Sequence, residues 1–218
     1  GTDTIRVLDE EPERLLKVRG VGQKSLERIR TSWAEHRGIR DLLLFLQPHG
    51  ITPAYAVRIY RAYGADALTI VRENPYRLAM DIHGIGFVTA DAAARKLGFE
   101  HDHPLRIQAG TLYALQKATD EGNVDLPESA LMEAVCAQLG VDEGLVSEAL
   151  SSLEEDERIV REDMDMPGPG PDSDAHVCLP ETGVYLRRYF HCESKTAFYL
   201  QRLLNSPKSI RFENADAT

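Results

Sequence analysis

Cysteine is scarce and long apolar runs are missing from this 218-residue sequence. Its three cysteines, Cys136, Cys178 and Cys192, are odd in number and far apart, a pattern that fits neither a disulfide framework nor a zinc site. No run of about 18 apolar residues occurs, so the sequence predicts no membrane-spanning helix. The opening residues lack the pattern of a signal peptide. Together these absences predict a reducing, cytoplasmic location.

Positive charge is scarce in the second half of the chain. Residues 1–100 carry 15 Lys/Arg and 13 Asp/Glu, whereas residues 101–218 carry 10 and 22, for a formal net charge of −10 overall. An asymmetry of this size predicts two functional halves. The predicted domains are residues 1–100 and 101–205. Residues 206–218 are expected to be a tail at the cut edge of a longer chain.

The densest positive charge lies between Arg14 and Arg40, where 8 Lys/Arg face 2 acids, a net of +6. At its centre, Val18-Arg19-Gly20-Val21-Gly22 predicts a tight turn in which glycine supplies positive φ. A helix is predicted from Gln23 to His36, ended by Gly38. The N–H groups at the start of such a helix lack partners within the helix, and they attract anions.

Two later stretches resemble this turn. His83-Gly84-Ile85-Gly86-Phe87 repeats both glycines, and His49-Gly50-Ile51-Thr52-Pro53 keeps one. Repetition of a small unit at similar spacing indicates stacked copies of one motif. The middle copy lacks the second glycine, so it is predicted to serve packing.

Backbone N–H groups and basic side chains contact phosphate and read no base edges, so the predicted interaction with DNA is independent of sequence. The alternative is a tight turn between helices that only packs. The residues predicted to contact DNA are Lys17, Arg19, Gly20, Val21, Gly22, Lys24, Ser25, Arg28, Gly84, Ile85, Gly86 and Thr89.

The second half predicts a winged-helix-like unit of three helices and a hairpin. The predicted fold class is therefore mainly α, with a tandem helix-hairpin-helix domain followed by a small winged-helix-like α+β domain. The third of these helices, at the position of a recognition helix, has six acids and no Lys or Arg, which favours a scaffold or a protein contact over DNA. The predicted elements are helices Leu105–Asp120, Pro127–Leu139 and Glu143–Glu157, strands Arg158–Glu162 and Ala175–Leu179, and a final helix from Glu181 to about Leu204.

The sequence gives little support to an enzymatic function. A nucleotide-binding loop needs glycine directly before its lysine, and Gln23 precedes Lys24. His101-Asp102-His103 lacks a third metal ligand at credible spacing, which favours a solvated linker. Asp102 lies at a loosely suitable distance for a glycosylase, but no lysine nucleophile or base pocket accompanies it. No catalytic residue, metal or cofactor is predicted for this chain.

Several segments together resemble the N-terminal region of the RecD/TraA-type, or RecD-like, superfamily 1 DNA helicases. The block from Asn74-Pro-Tyr to Gly84-Ile-Gly-Phe-Val-Thr-Ala-Asp is the most specific part of this resemblance, since the hairpins alone are shared with many repair proteins. The other segments are Pro12–Lys24, Tyr60-Arg-Ala-Tyr-Gly, Arg106-Ile-Gln-Ala-Gly and Gly122-Asn-Val-Asp-Leu-Pro.

The resemblance implies an accessory fragment of a helicase used in DNA unwinding, recombination and repair. In that family this region precedes two RecA-type motor domains that bind ATP and magnesium and move along single-stranded DNA from five prime to three prime. The implied partners are DNA, single-stranded or at a junction, and the protein's own motor domains. The alternative is a protein-interaction or intramolecular docking module, suggested by the acidic half and the aromatic last helix.

Overall fold

A computed structural model describes residues 2–164 and 181–206 of the chain. The chain forms two compact units, Gly1–Ala109 and Gly110–Thr218. The sequence prediction placed the domain boundary between residues 100 and 101, in the linker that precedes a long helix.

The first unit consists of short helices around three tight turns. Three 3-10 helices occur as connectors at Pro12–Lys17, Gln47–His49 and Gly64–Asp66. The α-helices are α1 (Thr2–Glu10), α2 (Gln23–Leu46), α3 (Pro53–Tyr63), α4 (Ala67–Glu73), α5 (Arg77–Asp81), α6 (Phe87–Lys96) and the beginning of α7 (Pro104–Asp120).

Apolar side chains from consecutive helices form the core of this unit. Leu42 and Leu46 of α2 are fully buried, as are Ile59 of α3 and Val71 of α4. Burial of one such side chain stabilises the fold by roughly 1.5–3 kcal/mol. The N-terminal helix is attached at the surface, where the Trp33 indole N–H donates to Asp9 Oδ1 at 2.8 Å.

Helix α2 does not end at Gly38, and the predicted end of this helix is wrong. It continues through Gly38 to Leu46 and forms one element of 24 residues. Gly38 lies against the ring of Tyr60, and a Cβ atom at this position would be 2.2 Å from Tyr60 Cε2. Glycine leaves room here for the Tyr60 ring of α3, whereas the sequence interpretation took it as a helix stop.

The second unit combines helices with a small antiparallel sheet. In the described residues its strands β1 (Asp125–Pro127), β2 (Ile159–Met164) and β3 (Glu181–Leu186) are arranged in the order β1-β3-β2, with Leu126 and Arg161 both opposite Val184. The elements that follow α7 are β1 (Asp125–Pro127), α8 (Glu128–Leu139), α9 (Glu143–Glu155), β2 (Ile159–Met164), β3 (Glu181–Leu186) and α10 (Arg187–Leu204).

The beginning of the last predicted helix is wrong. Residues Glu181–Leu186 form the central strand of the sheet, and the helix begins at Arg187. Val184 is fully buried in this strand, which has a partner on each side. The sequence interpretation missed β1, and with it the second partner that makes a strand favourable here. The predicted strand Ala175–Leu179 lies outside the described residues.

The predicted fold class is confirmed: the chain is mainly α, with a helix-rich first unit followed by a small α+β unit. In the second unit, one helix, one strand, two helices and two further strands follow one another. Strand β2 matches the predicted strand Arg158–Glu162, whereas β1 and β3 were not predicted.

Gly38→Ala is expected to lower the free energy of unfolding by about 1–3 kcal/mol, because the added methyl group displaces the Tyr60 ring. In a Tyr60→Ala background the same substitution is expected to stabilise α2 by about 0.5–1 kcal/mol, since alanine is the better helix former. Urea unfolding followed by Trp33 fluorescence measures both. Equal changes in the free energy of unfolding in the two backgrounds would show that the Tyr60 ring does not restrict the side chain at position 38.

Candidate nucleic-acid interface

Three turns in the first unit share the conformation of their last three residues, although the second is entered from the 3-10 helix Gln47–His49 and the other two from the extended residues Val18 and Ile82. We call them the first turn (residues 18–22), the second turn (residues 48–52) and the third turn (residues 82–86). The first glycine of each has positive φ, at +93° for Gly20, +84° for Gly50 and +90° for Gly84. An apolar residue follows, and then an extended residue that begins the next helix. A side chain with Cβ would be strained at each first glycine.

The second turn shares this geometry although it lacks the second glycine. Thr52 has φ −74° and ψ 157°, close to the values at Gly22 (−96°, 177°) and Gly86 (−89°, 170°). These are extended conformations that any residue adopts. The second glycine is therefore dispensable for the backbone path, and its absence does not distinguish the second turn from the other two.

The first turn presents unpaired backbone N–H groups at the surface. The N–H of Val21 closes the turn by donating to Val18 O at 3.1 Å, and Gly22 O accepts from Leu26 N at 2.9 Å. Within the described residues, no acceptor is found for the N–H groups of Gly20, Gly22 and the first three residues of α2. Together with the positive end of the helix dipole, they form a site suited to an anion.

Half of the basic side chains near the first turn are already neutralised. Arg14 pairs with Glu11, Arg30 with Glu13, Arg37 with Asp9, and Arg40 with Asp41, at 3.1–3.3 Å. Over residues 9–41 there are 8 Lys/Arg and 7 acids, so the net charge is +1. No acid is found within 4 Å of the charged groups of four exposed residues in the described chain. These residues are Lys17, Arg19, Lys24 and Arg28.

The third turn is held by side chains of α3. The Tyr55 hydroxyl donates to Gly84 O at 2.7 Å, and Arg58 Nη1 donates to His83 O at 3.0 Å. Sequence reasoning missed both residues. They lie 29 and 25 positions before their partners, and no local pattern marks such contacts.

Lys96 is a further basic residue that sequence reasoning left out of the site. A Cβ atom at Gly50 would be 3.4 Å from Lys96 Nζ, so this ammonium group lies at the second turn. Within the described residues, Nδ1 of the neighbouring His49 is the buried side-chain polar atom that has no hydrogen-bond partner.

A buried polar network supports the start of α6, directly after the third turn. Arg106 Nε donates to Asp91 Oδ1 at 2.9 Å, and the Tyr76 hydroxyl donates to the same oxygen at 2.9 Å. The Tyr76 ring stacks on Phe87, the first residue of α6, with centroids 6.2 Å apart. Burial raises the pKa of the Tyr76 phenol, and the hydrogen bond to Asp91 raises it further. Tyr76 therefore stays a donor to Asp91 at neutral pH.

The residues predicted to contact DNA differ in their solvent exposure. Gly20, Gly22, Gly84 and Gly86 are exposed, together with the four unpaired basic residues of the first turn. Ser25 and Thr89 are half-buried. Val21 is half-buried and Ile85 is buried, and the backbone N–H of each closes its own turn. These two residues shape the turns and offer no free N–H group.

The described residues were also compared with the requirements of a nucleotide-binding loop, a metal site and a membrane-spanning helix, and they meet none of them. The first turn follows a 3-10 helix and not a strand, so it does not have the strand–loop–helix context that a nucleotide-binding loop needs. No group of three His, Cys, Asp or Glu side chains comes together as a metal site in the described part of the chain. Among the described helices, none combines the length and apolar character that crossing a bilayer requires.

Three glycine turns, each followed by an α-helix, are the arrangement expected of a helix-hairpin-helix domain. Residues 35–124 match the family model of the HHH domain of the ATP-dependent RecD2 DNA helicase. The chain is 30% identical over 218 residues, 99% of its length, to the ATP-dependent RecD2 DNA helicase of Deinococcus radiodurans. It spans 30% of the length of that relative. The predicted resemblance to RecD-like helicases is confirmed, and the matched residues contain the second and third turns but not the first.

Asp91→Ala is expected to lower the free energy of unfolding by about 3–5 kcal/mol, because the buried Arg106 guanidinium would lose its carboxylate partner and keep only neutral acceptors such as His101 O. Glu13→Ala is the control, since it removes an exposed ion pair with Arg30 and is expected to cost at most about 1 kcal/mol. Urea unfolding followed by Trp33 fluorescence measures both. Similar costs for the two variants would contradict a supporting role for the network.

Proposed function

We propose that the first unit binds the sugar-phosphate backbone of DNA without regard to sequence. The unpaired N–H groups at the first turn carry this proposal, together with four exposed basic side chains that have no acidic partner among the described residues. The match of residues 35–124 to the HHH domain of a DNA helicase supports it. Amide and ammonium donors recognise phosphate oxygens, which are the same at every base pair, so such binding carries no sequence information.

The whole protein is proposed to be an ATP-dependent DNA helicase of the RecD-like type. The relative with that activity is longer than this chain, which spans 30% of it. ATP and magnesium would be bound by RecA-type motor domains, and the unit described above would hold the DNA backbone, single-stranded or at a junction, while the motor moves. Roles in DNA repair and recombination and a cytoplasmic location follow from the same proposal.

Replacing Lys17, Arg19 and Lys24 by Gln should weaken binding to DNA of any sequence. Each phosphate contact contributes about 0.9 to the slope of log K against log salt on duplex DNA, so the slope should fall by about 2–3. Fluorescence anisotropy titrations at several salt concentrations, on two unrelated duplexes and a single strand, measure this.

The matched control replaces Arg30, Arg37 and Arg40 by Gln. It removes the same charge from side chains that are already paired with Glu13, Asp9 and Asp41. The control should retain most of the salt dependence. If both triple variants lose affinity equally, only the total charge matters; if neither does, the first turn does not contact DNA.

A second candidate function is docking of another part of the protein on α10. Every described residue from His191 to Ser206 is exposed, and the apolar members include Phe198 at 60%, Leu203 at 70% and Leu204 at 84%. Exposed apolar clusters on this scale are typical of interaction surfaces. The motor domains of the longer protein are the proposed occupant.

Replacing Leu200, Leu203 and Leu204 by Gln should abolish docking of separately produced motor domains, because these side chains supply the apolar area. Glu193→Gln on the same helix is the control and should leave docking unchanged. Size-exclusion chromatography of the mixtures measures complex formation. Full complex formation by the triple variant would exclude α10 as the docking surface.

A further inference from the structure

An open groove in the first unit is lined by α2 and by Leu8 of α1. We call it the α1–α2 groove. Its volume is about 770 Å³, within the range of roughly 300–1,000 Å³ that binding sites for small molecules occupy. The lining residues of α2 extend from Ser25 to His36, which corresponds to about 16 Å of helix.

The α1–α2 groove combines apolar side chains with hydroxyl groups. Leu8, Ile29 and Trp33 are half-buried and line it, together with Ser25 and Ser32. The Trp33 indole N–H donates to Asp9 Oδ1 at 2.8 Å, and this hydrogen bond fixes the position of the ring. An aromatic ring that is held in place beside hydroxyl groups suits a flat ligand with an apolar face and polar edges.

The charges along the α1–α2 groove disfavour a phosphate inside it. One basic residue, Arg28, and two acids, Glu27 and Glu35, line the groove, so the formal net charge of the lining is −1 with His36 neutral. Carboxylates repel phosphate groups, but they accept hydrogen bonds from the amino groups of nucleobases. The groove is therefore suited to an uncharged ligand.

The same groove adjoins the first turn, where a phosphate is favoured. Ser25 lines the groove and is also the third residue of α2, so its backbone N–H is one of those without an acceptor in the described residues. Arg28 lines the groove and is one of the four exposed basic residues without an acidic partner in the described chain. A nucleotide has this arrangement of chemistry, with a charged phosphate and an uncharged base joined by one sugar.

We propose that the α1–α2 groove binds an unpaired nucleobase of a single strand whose phosphate is held at the first turn, with Trp33 as the stacking residue. This rests on the proposed function and adds a substrate class to it. The bases of a duplex are paired and stacked inside the helix, whereas those of a single strand are free to turn outward onto an aromatic side chain. Because every base has a π-face, such stacking tolerates any sequence.

Strands with and without bases separate base binding from phosphate binding. The full chain should bind a short oligothymidylate at least about fivefold more tightly than an abasic strand of the same length, because stacking on an aromatic side chain contributes this much or more per base. The two strands carry the same phosphates, so their salt slopes should be equal. Fluorescence anisotropy titrations measure both quantities.

Trp33 also reports directly on the groove, since it is the one tryptophan of the sequence. Its fluorescence should change on addition of oligothymidylate, because a stacked base replaces water at the ring. The abasic strand and a duplex at the same degree of saturation should leave it nearly unchanged.

Two substitutions at position 33 form a matched pair. Trp33→Leu and Trp33→Phe both remove the N–H donor to Asp9, but phenylalanine keeps an aromatic ring. Trp33→Leu should abolish the preference for oligothymidylate over the abasic strand, whereas Trp33→Phe should retain most of it. Circular dichroism checks that both variants remain folded. A purely structural role of Trp33 would weaken binding to the two strands equally.

The outcomes separate this inference from the function on which it rests. Equal affinity for oligothymidylate and the abasic strand, or equal loss of the preference in the two variants, overturns the base site while phosphate binding at the first turn stands. A change in Trp33 fluorescence with separately produced motor domains, but not with oligothymidylate, assigns the groove to a protein contact and overturns the base site as well. A chain that binds neither single-stranded nor duplex DNA overturns both proposals.

Discussion

The buried pair between Arg106 and Asp91 is the interaction on which the arrangement of the third turn depends. The Arg106 side chain is 7% exposed and that of Asp91 18%, so both charges rely on each other and on their hydrogen bonds. The Tyr76 hydroxyl also donates to Asp91, and the Tyr76 ring stacks on Phe87, the first residue of α6. The ion pair between Arg106 and Asp91 therefore fixes the start of α6, and with it the direction of the N–H groups there, in addition to the turn itself.

This network also explains why particular short segments carried the resemblance to RecD-like helicases. Tyr76 comes from the Asn-Pro-Tyr segment, Asp91 ends the Thr-Ala-Asp segment, and Arg106 opens the Arg-Ile-Gln-Ala-Gly segment. The three residues follow one another at intervals of 15 positions and meet in the interior. Their specificity is therefore structural, whereas the residues proposed to contact DNA come from turns that many proteins share.

Local features of the chain were predictable from sequence. The turns at Gly20 and Gly84 and the start of α2 at Gln23 agree with it, because positive φ and helix starts depend on neighbouring residues. Features that depend on distant partners were not predictable. Gly38 was interpreted as a stop because Tyr60 could not be placed beside it, and β3 was interpreted as helix because β1 had not been recognised. The net charge of +6 predicted around the first turn was also an overestimate of the free positive charge, because Glu11, Glu13, Asp9 and Asp41 pair with four of the eight basic residues.

The extended backbone at Thr52 has a consequence for how such turns are recognised in other chains. Only the first position of each turn requires glycine, while the next helix start accepts threonine in the same conformation as glycine. Within this chain the second position thus accepts a residue other than glycine. A search for the two-glycine signature alone will undercount these turns, and divergent copies are better sought as one glycine, one aliphatic residue and any small residue that opens a helix.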